Sequence, residues 1–364
     1  MKSTVSLPIW SIIAPVFAWL LIAANMALPS ANFGIYYTAV VAIGLFASVL
    51  AAVFHAEVIA HKVGEPYGTL VLAIAVTAIE VALIVSLMIA GGAATSGLAR
   101  DTVFAAVMII LNGIVGICLL AGAGRHGEQT YQLSGVSAAL ATLATISVLT
   151  MVLPNYTTTT PGPMYSASQL GFIALVSIIL YGTFVLVQTV RHRDYFLPET
   201  AAENEDSHAA PPSKKMTLWS TALLLACLSS VVLLAKKLSP TLEGAVLALG
   251  APKALVGIVI AGVVLLPEGI AAFNAARANR LQTSLNLALG SALASIGLTI
   301  PAVAILSLAS GQTLSLGIDV KSTVLLLLTL IVATLSLSTG RTTIMQGTVH
   351  LVIFAVYLFT AIVP

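Results

Sequence analysis

The chain has 364 residues, of which 59% are apolar and only 8% charged, with a net charge of +2 and a mean hydropathy of +1.06. Soluble proteins carry about 25% charged residues, so a sizeable soluble enzyme or binding domain is excluded, and so small a net charge points to no nucleic-acid partner. Runs of about 20 apolar residues recur along the chain, the signature of an all-α polytopic membrane protein surrounded by lipid bilayer.

Lys2 is followed by an apolar run from Pro8 to Leu28, longer than the core of a cleavable leader, so it reads as a membrane anchor. The pattern then predicts spans over 33–54, 67–90, 101–121, 135–154 and 166–190. A polar stretch, 191–216, carries Glu199, Glu203, Glu205, Asp206 and the Pro211-Pro212 pair. Its composition suits a solvated cytoplasmic linker, with a regulatory cation sensor as the second reading. Five further spans follow, over 217–236, 253–276, 284–309, 320–338 and 344–363. Eleven spans put the termini on opposite faces. The N-terminal face carries ten basic residues (Lys2, Lys62, Arg125, Arg191, Arg193, Lys214, Lys215, Arg277, Arg280, Arg341) against five (Arg100, Lys236, Lys237, Lys253, Lys321) on the other. That bias predicts a multi-pass protein of the cell inner (plasma) membrane, N-terminus cytoplasmic and C-terminus external.

The linker divides the chain into an N-terminal helix (1–32), a five-helix unit (33–190), the linker (191–216) and a second five-helix unit (217–364). Five is odd, so two copies of one unit are inserted with opposite orientation, a recurrent plan among secondary transporters. The repeat is visible in sequence. Val63-Gly64-Glu65-Pro66 precedes Glu80 by 14 residues from the proline, and Leu249-Gly250-Ala251-Pro252 precedes Glu268 by 16. Glu80 is the only charge between Tyr67 and Ala90, and Glu268 the only one between Ala254 and Ala276. A carboxylate in mid-membrane costs roughly 3 kcal/mol and usually serves an ion or a proton. At about 1.5 Å rise per residue each acid lies roughly 20 Å from its own face, so the two can meet near the bilayer centre.

Those two acids suit a cation and protons competing for one site, because a carboxylate cannot hold both at once. A hard cation such as Ca2+ wants roughly six to eight oxygens. Thr77 shares the helix face of Glu80, and Pro267 cannot donate to the carbonyl of Val263, which leaves that oxygen available beside Glu268. Asn112, Ser291 and Ser295 are further candidates, although serine and threonine hydroxyls commonly bond their own helix backbone. Two carboxylates equally fit a monovalent ion, Na+ or K+, together with a proton. His55, Glu57, His61 and Glu65 sit near the cytoplasmic end, either as a solvated face or as a site of metal binding, proton access or regulation. His350 reads as a packed neutral histidine, and Cys118 and Cys227 as packing residues rather than a disulfide. No cofactor is expected; the oligomeric state stays open. No phosphate-cradling G-x-x-x-x-G-K-[ST] segment occurs, so an ion gradient is the expected driving force. An intramembrane enzyme would need a nucleophile and base, yet no His, Cys or Asp lies within about two helical turns of either acid. A passive cation channel could use the same polar residues.

The segment from His55 to Leu70, which contains Gly64-Glu65-Pro66-Tyr67-Gly68, resembles the approach to the first alpha-repeat of bacterial calcium/proton antiporters. These form the cation/proton exchanger (CAX) branch of the cation/Ca2+ exchanger superfamily. Leu266-Pro267-Glu268-Gly269 with Asn286 to Ser295 resembles the second alpha-repeat, and Tyr181 to His192, followed by an acidic linker, is similar to the family's sixth helix. The resemblance implies alpha-repeats at about 55–121 and 250–309, one helix plus two inverted five-helix repeats, and essential acids at Glu80 and Glu268. It further implies a secondary antiporter of Ca2+, or of Na+ or K+, with H+. One departure bears on selectivity. Many members carry Gly-Asn-x-x-Glu at the first site, where this chain has Val76-Thr77-Ala78-Ile79-Glu80.

Overall fold

The computed structural model describes residues 7–27, 34–64, 67–197, 212–248 and 254–363. Glu65 and Pro66, the acidic part of the linker and the segment Leu249 to Pro252 lie outside the described residues. The described residues form eleven long helical segments, one for each predicted span. They are α1 (Ile9–Ala27), α2 (Gly34–Val63), α3 (Tyr67–Gly91), α4 (Leu98–Met108) continued through a π turn (Ile109–Ile114) into α5 (Val115–His126), α6 (Leu133–Ser147), α7 (Ala167–Leu186), α8 (Lys214–Ala248), α9 (Ala254–Arg277), α10 (Leu281–Ser310), α11 (Val320–Ser336) and α12 (Ile344–Ile362). Eight segments are long and apolar enough to cross a membrane; within the others, Ile9–Ala24, Ala73–Ile89 and Val320–Ser336 are shorter apolar stretches.

The helices are apolar outside and carry their polar groups inside. On α11, Val320, Val324, Leu328, Ile331 and Leu335 are exposed while Thr329 and Ser336 are buried. Water would not tolerate that distribution, and lipid does. Two boundaries differ from expectation. The α2 helix runs on to Val63, and α8 continues past Lys236, Lys237 and Pro240 to Ala248. Charges ended the apolar runs but not the backbone hydrogen bonding, since exposed lysines snorkel and Pro240 withdraws only one donor.

The chain folds as two compact units that do not follow the two sequence halves. The first contains α1, α2, α3 and α8. Here α2 packs along α8 and also touches α1 and α3. Ala18, Ile22, Val41 and Leu234 form its described core cluster, and buried Ser48 and Ser230 join their hydroxyls at 3.2 Å. Pro15 lies inside α1 and offers no N–H to the carbonyl of Ser11. His55 of α2 supplies the missing donor, its Nε2 standing 3.0 Å from that oxygen.

The second unit contains α4 to α7 and α9 to α12. Its centre is α10, which packs against α6, α7, α9, α4 and α5. Gly297 lets α10 close on α7, since a Cβ there would meet the Cβ of Tyr181 at 2.8 Å. The α9 helix lies along α4 and α5 in parallel: Gly257 meets the backbone of Asp101 and Thr102, and twelve residues later Gly269 meets Ile114. A two-residue antiparallel ribbon, β1 (Gln129–Thr130) with β2 (Arg341–Thr342), ties the end of α5 to the start of α12. Such short pairing carries no hydrophobic alternation for sequence reading to detect.

Candidate functional site

In the first unit, Glu80 sits in the middle of α3 and is 2% exposed; Thr77, one turn earlier, is buried too. Ala78 and Ala82 line a shallow apolar groove against Leu228, Ser229, Val232 and Leu233 of α8. The Ser86 hydroxyl donates to the carbonyl of Val232 on the same side. At about 100° per residue, Glu80 and Thr77 lie on the other side of α3 from these α8-facing positions.

The candidates at the C-terminal end of α2 are not brought together. His55 is buried against Ser11, whereas Glu57 and His61, one turn apart, are exposed on another face of α2. Successive helical side chains turn by about 100°, so positions two and six residues after His55 point away from it. Among the described residues no group of three His, Cys, Asp or Glu side chains could hold a metal. Glu65 lies outside the described residues. Cys118 and Cys227 are each buried and free, as packing residues should be.

In the second unit, Glu268 is half-buried on α9, and the helix continues through Pro267 just before it. That continuity leaves the Val263 carbonyl without its helical donor. Gly269 stands against Ile114, so the π turn backs the helix directly beside the acid. On α10, Ser291 is half-buried and Ser295 buried, and buried Thr299 extends the stripe by one turn. All three lie on the side of α10 turned away from Tyr181 of α7. Thr299 was missed by sequence reading; its spacing of four residues from Ser295 was the available signal.

Asn112, in the π turn, faces α11 and α12. Its Nδ2 donates to Thr329 Oγ1 at 2.9 Å, and its Oδ1 lies 3.3 Å from Nδ1 of His350. Nε2 of His350 is 2.8 Å from Ser336 Oγ. Asn112 and Ile114 thus look in different directions, one into this network and the other toward α9. All four network side chains are buried.

Two apolar helices of an all-helical chain each carry one carboxylate in their interior, Glu80 and Glu268. The chain belongs to the sodium/calcium exchanger protein family, whose profile matches residues 33–190 and 219–363. It is therefore a secondary transporter and not an enzyme, and the resemblance read from its repeats is borne out. The protein y4hA of Sinorhizobium fredii, named only as an ionic transporter, is 50% identical over 358 residues, spanning 98% of this chain and 97% of that one. The sodium-potassium/proton antiporter ChaA of Escherichia coli is 36% identical over 320 residues, spanning 87% and 86%. Among solved structures, native YfkE matches with a TM-score of 0.73 at 17% identity, covering 98% of this chain and all of that one. A second structure of YfkE describes it as a Ca2+/H+ antiporter. At that identity the likeness shows the fold alone.

Proposed function

We propose that this protein is a cation/proton antiporter of the cell inner membrane. It exports Ca2+ in exchange for protons by alternating access, with Glu80 and Glu268 as the shared cation and proton groups. What carries the reading is the pair of lone membrane carboxylates, each closing one copy of the same sequence repeat. The parallel register of α9 with α4 and α5 supports opposite insertion of the copies. Within the second unit α9 runs parallel to α4 and α5, so α10, which follows α9 after a short turn, runs against α4 and α5, its equivalents in the first copy. Helix pairing inside the second unit agrees: α5 packs on α12 as α10 packs on α7, which are equivalent pairs if 33–190 and 217–364 are copies.

Thr77, the Val263 carbonyl, Ser291 and Ser295 are the further oxygens we assign to the ion. Asn112 we set aside as a ligand, because its amide is engaged on both sides by Thr329 and His350. Ca2+ stands first because two carboxylates balance a divalent charge. Na+ and K+ form the second reading, favoured by the ions named for ChaA, which is 36% identical. The N-terminus is cytoplasmic and the C-terminus external.

Inside-out vesicles without ATP provide the test. Adding Ca2+ to acid-loaded vesicles releases protons, and the apparent KM for Ca2+ rises as pH falls, with little change in maximal rate. The sign follows from competition: lowering pH fills the carboxylates with protons, and more cation is then needed to displace them. Proton release with Na+ or K+ alone selects the second reading. Cation flux without proton movement refutes exchange.

A further inference from the structure

We propose that His350 is a positioning residue for ion exchange, which as the neutral Nδ1–H imidazole clamps Asn112 and, through it, the π turn that backs Glu268. The inference rests on the reading of Glu268 as an exchange carboxylate. The π turn departs from regular helix: the N–H of Val115 reaches back five residues to Ile110. Such turns are rare and frequently mark functional sites; two others in this chain, Val148–Val152 and Val187–Arg191, lie away from the two acids in sequence.

Support for the turn comes from α12 and α11. Three close approaches bring α12 onto the π turn and α5. A Cβ at Gly113 would meet Phe354 at 3.3 Å, one at Gly116 would meet the Cβ of His350 at 3.1 Å, and one at Gly347 would meet the Leu120 backbone nitrogen at 2.5 Å. Small residues let membrane helices touch backbone to backbone, and only at that range does the imidazole reach Asn112.

The tautomer we assign follows from the orientation of the Asn112 amide. Asn112 Nδ2 donates to Thr329, so Oδ1 faces His350, and a carbonyl oxygen only accepts. In the tautomer we assign, Nδ1 carries the hydrogen and Nε2 accepts from the hydroxyl of Ser336, which also stands 3.3 Å from the carbonyl of Ala333. Thr329 and Ser336 both stand on α11, two turns apart, so the network closes on itself across three helices. Gln346, one turn before His350, locks the same joint by donating to the backbone oxygen of Ser336 at 2.9 Å. A leucine or phenylalanine would fill the space without bringing polar nitrogens into the membrane. Directed donor and acceptor chemistry is what the histidine adds.

Losing the clamp frees the π turn, shifts Ile114 against Gly269, and loosens the side chain of Glu268. His350→Leu in the full-length protein, assayed in vesicles with Ca2+ and separately with KCl, is expected to raise the cation KM about tenfold or more, as for partners that orient metal ligands. The maximal rate per inserted protein stays within about twofold. His350→Gln keeps one donor and one acceptor and returns KM toward wild type. Asn112→Ala raises KM likewise, and Asn112→Ala with His350→Leu is no worse than either alone, because the two act through one contact. Nitrogen NMR of labelled histidine in bilayers, assigned by difference from His350→Gln, finds the Nδ1–H form in wild type. An unchanged KM in His350→Leu, additive effects in the double variant, or an Nε2–H ring in wild type overturns the clamp. The spectrum decides even where a variant fails to insert. Absence of cation-driven proton flux in wild type removes the exchange reading instead and leaves the tautomer to judge the clamp.

Discussion

Glu80 and Glu268 are chemically identical and differently held. Glu80 lies buried in a helix uninterrupted by proline, beside buried Thr77, while Glu268 is half-buried and follows Pro267, which frees a backbone carbonyl. A carboxylate in the membrane is retained against a penalty of roughly 3 kcal/mol only where it does something an amide could not. Glu80→Gln and Glu268→Gln keep size and hydrogen-bonding capacity but remove the exchangeable proton and the charge. Each is expected to abolish cation-dependent proton flux while the amount of inserted protein stays unchanged. Near wild-type flux in either variant would show that the two-acid site is wrong. Both acids were legible in the sequence because a lone charge stands out in an apolar run. Thr329 and Ser336 were not, since hydroxyls are common in membrane helices and only their partners on other helices single them out.

At the scale of elements, the crossing of α12 over α5 depends on glycine. Gly347 faces the backbone of Leu120, where no side chain can move aside to accept a methyl group. Gly347→Ala therefore pushes α12 outward, and overpacking of this kind costs about 1–3 kcal/mol. The expected outcome is a lower thermal midpoint in detergent together with weakened exchange. Gly124→Ala serves as the comparison, since a Cβ there would meet nothing within 4 Å. Equal stability of the two variants would refute the close-packed crossing. The spans themselves were legible from hydropathy, with errors confined to ends such as those of α2 and α8, where charge stopped before the helix did. The π turns were not legible, because inserting one residue into a turn leaves the apolar composition unchanged.

At the scale of the whole molecule, the acidic stretch between the two halves lies outside both repeat motifs in sequence. Removing residues 199–212 deletes Glu199, Glu203, Glu205 and Asp206. What remains still has to join α7 to α8, and loop-closure entropy changes slowly with length. Exchange is expected to survive the deletion, with at most a changed cation or pH threshold, measured by proton release from vesicles of matched protein content. Complete loss of flux in a well-inserted deletion protein would make this segment part of the transport cycle.

The sequence by itself determined the class, the spans, the two acids and the repeat that contains them, because hydropathy and isolated charge are local quantities that survive without contacts. Only the tertiary structure decided which helices group together: α8 with α1, α2 and α3, and α9 with α4 and α5. It also decided that His55 serves a proline-freed carbonyl instead of a cluster with Glu57 and His61, and that Asn112 faces His350 and Thr329. Those outcomes follow from helix rotation and close approach at glycine. Both depend on residues more than two hundred positions apart in the case of Asn112 and His350, a separation that no local pattern encodes.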